Sequence, residues 1–166
     1  MKKLLLLRHG KSGWDNPDLA DHERPLTNRG KESASIIGKF LKKENLIPDL
    51  IITSTAKRAN KTADIIAKKS GYDKKILKSE ALYNGSTEDY TNIIHEIADK
   101  NKTILLVGHN PVIEEVIERI TAEKRIMKTC SLAHIDLSIE SWKNFHYRKK
   151  YKLVDLINVR ELDIDG

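Results

Sequence analysis

Two histidines of this chain stand in the same local setting. His9 follows Leu4-Leu5-Leu6-Leu7-Arg8 and precedes Gly10, and His109 follows Ile104-Leu105-Leu106-Val107-Gly108 and precedes Asn110-Pro111. Short apolar runs closed by turn formers have the length of strands buried on both faces. Each run therefore delivers an imidazole to the place where a strand ends. A third run, Leu50-Ile51-Ile52, ends in Thr53-Ser54-Thr55, with Arg58 in the first turn of the segment that follows. Arginines, histidines and hydroxyls gathered this way make an anion site, because a guanidinium forks onto phosphate oxygens with charge-assisted hydrogen bonds. Helices starting near Ser54 and Asn110 would add backbone N–H donors and their dipoles. Neutral imidazole is a nucleophile toward phosphorus, and surrounding positive charge keeps it unprotonated. The same charges stabilise the oxygens of a phosphoryl group in flight. Phosphoryl transfer is the chemistry these residue types suit.

Taken singly, each residue has a plainer role. A histidine after a strand is commonly structural, Arg58 could be a surface helix residue, and His109 could cap a turn. Polar groups recurring at three strand ends are what those separate explanations do not predict.

The elements that must position them alternate. After Gly10 comes a long loop, Lys11–Pro25, rich in turn formers and without periodicity; long loops in compact domains are often functional. Thr27 or Asn28 can cap a helix with Ala34, Ile37 and Leu41 on one face. Ser54 or Thr55 can cap a second, with Ala59, Thr62, Ala63 and Ile66 aligned. Lys75–Leu77 reads as a weaker strand, Glu80–Thr87 as a loop, and Tyr90, Ile93, Ile94 and Ile97 as the stripe of a helix. Thr103–Val107 is a strong strand, followed by a turn with Pro111 at the first helical position and a stripe of Ile113, Val116, Ile117 and Ile120. Ser131–Ile139 and Tyr151–Val159 read as two further strands joined by a basic segment. Strand-then-helix alternation predicts a three-layer α/β/α sandwich with a mostly parallel central sheet. Parallel neighbours would bring all three polar groups to one edge, the edge where such sheets bind ligands. With 166 residues and no linker, repeat or low-complexity stretch, one domain spanning 1–166 is expected.

Composition excludes several classes. The chain is 39% hydrophobic and 33% charged, as soluble globular domains are, and no apolar run approaches the ~20 residues of a membrane span. Lys2-Lys3 followed by four leucines imitates a signal peptide, but Arg8-His9 cuts the run short of the roughly 7–15 residues required, so export is not expected. Cys130 is the only cysteine, which rules out an intramolecular disulfide and suits a reducing cytoplasm. A net charge of +6 favours anionic partners. Much of the excess falls late, in Lys143, Arg148, Lys149, Lys150 and Lys152; a solvated hairpin explains it better than a nucleic-acid surface. His9, His22, His95, His109, His134 and His146 show no zinc-type spacing, so neither metal nor cofactor is expected.

Leu-Leu-Arg8-His9-Gly10, Ser54 with Arg58 and Thr62, and Val107-Gly108-His109-Asn110-Pro111 together resemble the histidine phosphatase superfamily, the fold of cofactor-dependent phosphoglycerate mutase. Arg24-Pro25-Leu26-Thr27 followed by Gly30 resembles the segment opening that superfamily's first helix. Lys11-Ser12-Gly13-Trp14, Leu82-Tyr83-Asn84-Gly85-Ser86 and Tyr151-Lys152-Leu153-Val154-Asp155 look like the small phosphohistidine phosphatase, SixA-like, branch. The resemblance implies that His9 is the phosphorylated nucleophile. Arg8, Arg58 and His109 would form its phosphate pocket, with Arg24 a further contact and Gly10 allowing a sharp turn and close ligand approach. The implied reaction has two steps, transfer to His9 and hydrolysis of the phosphohistidine, without a metal.

A general acid is harder to find. Larger members use a carboxylate from an inserted segment; here that stretch is short, Glu80 is the nearest candidate, and Asp15 and Glu23 follow it. A phosphoramidate leaving group depends less on a strong acid, which favours phosphohistidine in a phosphoprotein as substrate. The alternatives are a broad-specificity phosphomonoesterase on the same scaffold and a non-catalytic module binding phosphate or nucleic acid. Two imitations fail: Gly10-Lys11-Ser12 lacks the earlier glycine of a P-loop, since Leu5 stands there, and Cys130 lacks the arginine of a cysteine phosphatase six residues on, since Asp136 stands there.

Overall fold

The computed structural model describes residues 1–162. Six strands form one sheet in the order β3-β2-β4-β1-β5-β6: β1 (Lys2–Arg8), β2 (Leu50–Ser54), β3 (Ile76–Ser79), β4 (Thr103–Gly108), β5 (Leu132–Leu137) and β6 (Lys152–Ile157). The first four in that order run parallel, while β5 and β6 run antiparallel to their neighbours. The helices are α1 (Asn28–Lys43), α2 (Lys57–Ser70), α3 (Ala81–Asn84), α4 (Thr87–His95) and α5 (Val112–Thr121). This is the expected α/β/α sandwich, mostly parallel.

The four leucines of β1 explain why the sheet is covered twice. Successive side chains of a strand point to opposite faces, and all four are fully buried. Leu4 and Leu6 pack with Ile94 of α4 and with Ile113, Val116 and Ile117 of α5. Leu5 and Leu7 pack with Ala34, Ile37 and Leu41 of α1 and with Ala63 and Ile66 of α2. Apolar groups in sequence at every position thus require helices on both sides.

Register then sets the polar edge. Arg8 pairs with Gly108 and Thr53 with Val107, so His9, His109 and Ser54 leave three adjacent strands at the same level. Thr27 caps α1, its hydroxyl oxygen accepting from the Gly30 N–H at 3.0 Å. Ser54 acts one turn before α2: its oxygen accepts from the Ala56 N–H at 3.1 Å, and the helix starts only at Lys57. Pro111 likewise precedes α5.

Two local expectations change. The stretch expected as a loop at Glu80–Thr87 contains the short helix α3, with α4 following at Thr87, where the Asp89 carboxylate accepts from the Ser86 N–H at 2.8 Å. The basic segment before β6 is more than a solvated hairpin. Trp142 and Phe145 are fully buried within it, and Phe145 stacks on Tyr151 with ring centroids 5.7 Å apart. Its cations therefore decorate an anchored loop, at the end of the sheet opposite the histidines. No described helix is long and apolar enough to cross a membrane.

Candidate active site

A cavity of about 670 Å³ opens where β1, β2 and β4 end, and Arg8, His9, Asp21, Arg24, Arg58 and His109 line it. Its centre is His9, 6% exposed. Nδ1 of this ring lies 2.6 Å from the Gly10 carbonyl oxygen. A carbonyl only accepts, so Nδ1 carries the ring proton and Nε2 carries the lone pair. Consistently, the Arg58 Nε–H donates to Nε2 at 3.3 Å. Burial pushes the pKa of His9 down to about 4, the Gly10 carbonyl opposes that, and the charges of Arg58, Arg8 and Arg24 lower it further. At neutral pH the ring is uncharged among guanidinium groups.

His109 sits beside it, with ring centroids 4.9 Å apart. Its Nε2 is 2.8 Å from the Ser54 hydroxyl, which accepts from Ala56 and so keeps its own proton free to donate. Burial, and then the proximity of His9 and Arg58, hold His109 down to about 3. Arg8 donates through Nη1 to the Met127 carbonyl at 3.1 Å, and Asn110 Nδ2 donates to the same oxygen at 2.8 Å. Arg8 Nε is buried without a partner.

A carboxylate that the sequence reading did not single out organises the arginines. Asp21 Oδ2 accepts from Arg58 Nη2 at 3.0 Å and from the Tyr83 hydroxyl at 2.8 Å; Oδ1 lies 3.3 Å from Arg24 Nε. The Asp21 backbone carbonyl accepts from Arg58 Nη1 at 2.7 Å. Desolvation pushes Asp21 upward, but the hydrogen bonds from Tyr83 and Arg58 and the two arginine charges outweigh it, and the net shift is downward. Asp21 is thus an anion that holds two guanidinium forks in place. Asp21 and Arg24, three residues apart in a turn-rich loop, were the available signal. Tyr83 was legible only as part of a resemblance. Arg24 also donates to Ser12 Oγ at 2.8 Å and stacks at 3.4 Å on the ring of Trp14, itself 74% exposed.

Behind His9, Thr62 ties strand to helix. Its hydroxyl oxygen accepts from the Gly10 N–H at 3.1 Å while its proton goes to the Arg58 carbonyl at 2.7 Å. Gly10 does not adopt a left-handed backbone and does not line the cavity. A Cβ there would stand 2.9 Å from the Gly30 carbonyl oxygen, so the missing side chain makes room for α1 and not for a ligand.

The expected anion-site residues Arg8, His9, Arg24, Arg58 and His109 therefore meet in one place. Glu80 does not join them: it is exposed and precedes α3, outside the cavity lining, as are Asp15 and Glu23. Among the described residues no group of three or more His, Cys, Asp or Glu is placed to hold a metal ion.

The sequence profile of the histidine phosphatase superfamily (branch 1) matches residues 4–91. An uncharacterized chloroplastic protein of Arabidopsis thaliana is 30% identical over 151 residues, covering 86% of this chain and 69% of its own. A candidate phosphohistidine phosphatase, SixA of Agrobacterium tumefaciens, shares 27% identity with a TM-score of 0.80, over 95% of this chain and 97% of that one. The protein histidine phosphatase SixA complexed with tungstate superposes with a TM-score of 0.83 over 97% of this chain and 99% of its own; at 15% identity that likeness is one of fold.

Proposed function

We propose that this chain, which belongs to the histidine phosphatase superfamily (branch 1) and is SixA-like, hydrolyses phosphohistidine in a phosphoprotein through a phosphoryl group carried transiently on His9. One observation carries the reading: His9, a neutral imidazole with Nε2 unprotonated, lines a cavity whose guanidinium groups can hold phosphoryl oxygens, and the Arg58 Nε–H that Nε2 accepts from would pass to such an oxygen as Nε2 attacks. In the first step Nε2 attacks phosphorus, the P–N bond of the substrate breaks, and its electron pair returns to the departing imidazole. In the second, water attacks phosphorus, the bond to Nε2 breaks, its electron pair returns to the ring, and the proton leaves with phosphate or solvent. Arg8, Arg58, Arg24 and neutral His109 stabilise the charge on the transferring oxygens throughout.

The leaving group follows from proton supply. Asp21 is the carboxylate lining the cavity, and its arginine and tyrosine partners keep it ionised, so it is a poor acid. A phosphohistidine ring already protonated on its other nitrogen departs as neutral imidazole and needs no donor at that moment. An alkoxide needs one.

The test compares phosphohistidine, p-nitrophenyl phosphate and an alkyl phosphate in the presence of EDTA, with a denaturing quench at alkaline pH to preserve any phosphorylated enzyme. Phosphohistidine turnover that survives chelation, with 32P trapped on the parent and none on His9→Ala, is expected. Full turnover of the alkyl phosphate that Glu80→Gln abolishes would instead make the chain a general phosphomonoesterase with Glu80 as its acid. Phosphate binding without turnover of any substrate would leave a binding module.

A further inference from the structure

Exposed large apolar side chains are few among the described residues: Met1, Trp14, Leu19, Ile47, Leu77, Ile126 and Val154. Four follow from position. Leu77 and Val154 belong to the edge strands β3 and β6, and Met1 and Ile47 precede β1 and β2 at the end of the sheet away from the cavity. The other three stand on two loops at the cavity end. Trp14 and Ile126 are also the most exposed of all, at 74% and 76%. Trp14 lines the cavity. Ile126 adjoins Met127, whose carbonyl holds Arg8 and Asn110, and Thr129 of the same loop lines the cavity again. A single exposed hydrophobic residue needs no explanation, but several around one functional mouth mark a contact surface.

The charges beside Ile126 say what kind of surface it meets. Lys124, Arg125 and Lys128 are exposed on that loop, against one carboxylate, Glu123, which lies 3.4 Å from Arg125. Three cations around an apolar side chain complement an acidic surface with an apolar spot. A small phosphorylated metabolite held in the cavity has no use for them, because Ile126 and these cations lie outside its lining.

We propose that the cavity mouth is a docking surface for a folded acidic protein that presents its phosphoryl group on a surface side chain. Its apolar spot rests on Trp14 and Ile126, and its carboxylates face Lys124, Arg125 and Lys128. This deepens, and rests on, the reading of the cavity as a phosphohistidine phosphatase. Trp14 joins the two: one face of its ring is stacked on Arg24, so a partner seated on the other face bears directly on a cavity guanidinium.

The experiment uses Ile126→Asp and the double variant Lys124→Glu/Lys128→Glu. Both change exposed loop positions, where substitutions cost little stability. Two probes are compared: free phosphohistidine, and an acidic protein phosphorylated on a surface histidine by phosphoramidate. Expected is a loss of about tenfold or more in kcat/KM on the phosphoprotein with turnover of free phosphohistidine unchanged. The parent's phosphoprotein kcat/KM should also fall with added salt more steeply than that of the double variant. Equal effects on both probes, no effect on either, or a parent active on free phosphohistidine alone would overturn the docking surface. So would a parent dimer dissociated by Ile126→Asp in sedimentation, since a second copy would then cover the patch. A parent inactive on both probes refutes the phosphatase reading itself.

Discussion

The proton of His9 is placed by a backbone oxygen, and this decides which nitrogen can react. Because Gly10 occupies Nδ1, the lone pair is on Nε2, where it accepts from the Arg58 Nε–H. Burial and three guanidinium charges lower the pKa to about 4, against an unperturbed value near 6.5. Only the neutral ring is a nucleophile, so its reactive form is fully present from neutrality down to well below pH 6. Since kcat/KM reports the free enzyme, its acid limb on p-nitrophenyl phosphate should fall near pH 4 once substrate ionisation is divided out. A limb near 6.5 would mean that His9 is hydrated and unshielded, or that another group attacks. Asp21 matters at this scale too, as the side chain that orients the Arg58 and Arg24 guanidinium groups.

At the scale of elements, the site depends on how closely the loop after β1 approaches α1. A Cβ on Gly30 would lie 2.3 Å from the Lys11 carbonyl oxygen and 3.0 Å from the Lys11 nitrogen. Both are backbone atoms that cannot swing aside. Alanine in an exposed helix normally gains about 1 kcal/mol over glycine, but here the loop or the helix must move. Gly30→Ala should therefore lower stability by about 1–3 kcal/mol, seen as a lower melting temperature. It should also lower kcat/KM, because the same loop carries Arg24. A variant as stable as the parent would show that the loop yields freely. Thr62 makes the matching connection from α2, joining the Gly10 N–H to the carbonyl of Arg58 through one hydroxyl. His9 and Arg58 are thereby fixed relative to each other.

For the whole molecule, building the site into the sheet edge has a cost in acid. His9 and His109 are folded as neutral rings, with pKa values lowered to about 4 and about 3. A base whose pKa is lower folded than unfolded binds more protons when unfolded. Stability is therefore whole above about pH 6.5 and is lost as pH falls through the window toward 4. Asp21, lowered as well, contributes above the usual carboxylate range and is lost only below it. The urea midpoint should decline between pH 6.5 and 4, and His109→Gln should flatten that decline; equal slopes would locate the protons elsewhere. Two apolar cores, one on each face of the sheet, hold the scaffold through this range.

Much of this protein is determined by its sequence alone. Four consecutive leucines demand a strand covered on both faces, the helices carry their apolar stripes at helical spacing, and Arg8, His9 and His109 stand at the ends of apolar runs, with Arg58 in the first turn of the helix after a third, where local position fixes their place. Such features depend on neighbours a few residues away. Tertiary structure decided what depends on chain path. β5 turned antiparallel to both β1 and β6, and the basic segment proved to be anchored by Trp142 and Phe145. Gly10 gives space to a helix twenty residues on. Asp21 meets Tyr83 across 62 residues, from a loop with no periodicity to predict where it would lie. Glu80, near the site in the chain, came to rest outside the cavity, because α3 starts just after it and turns Tyr83 inward instead.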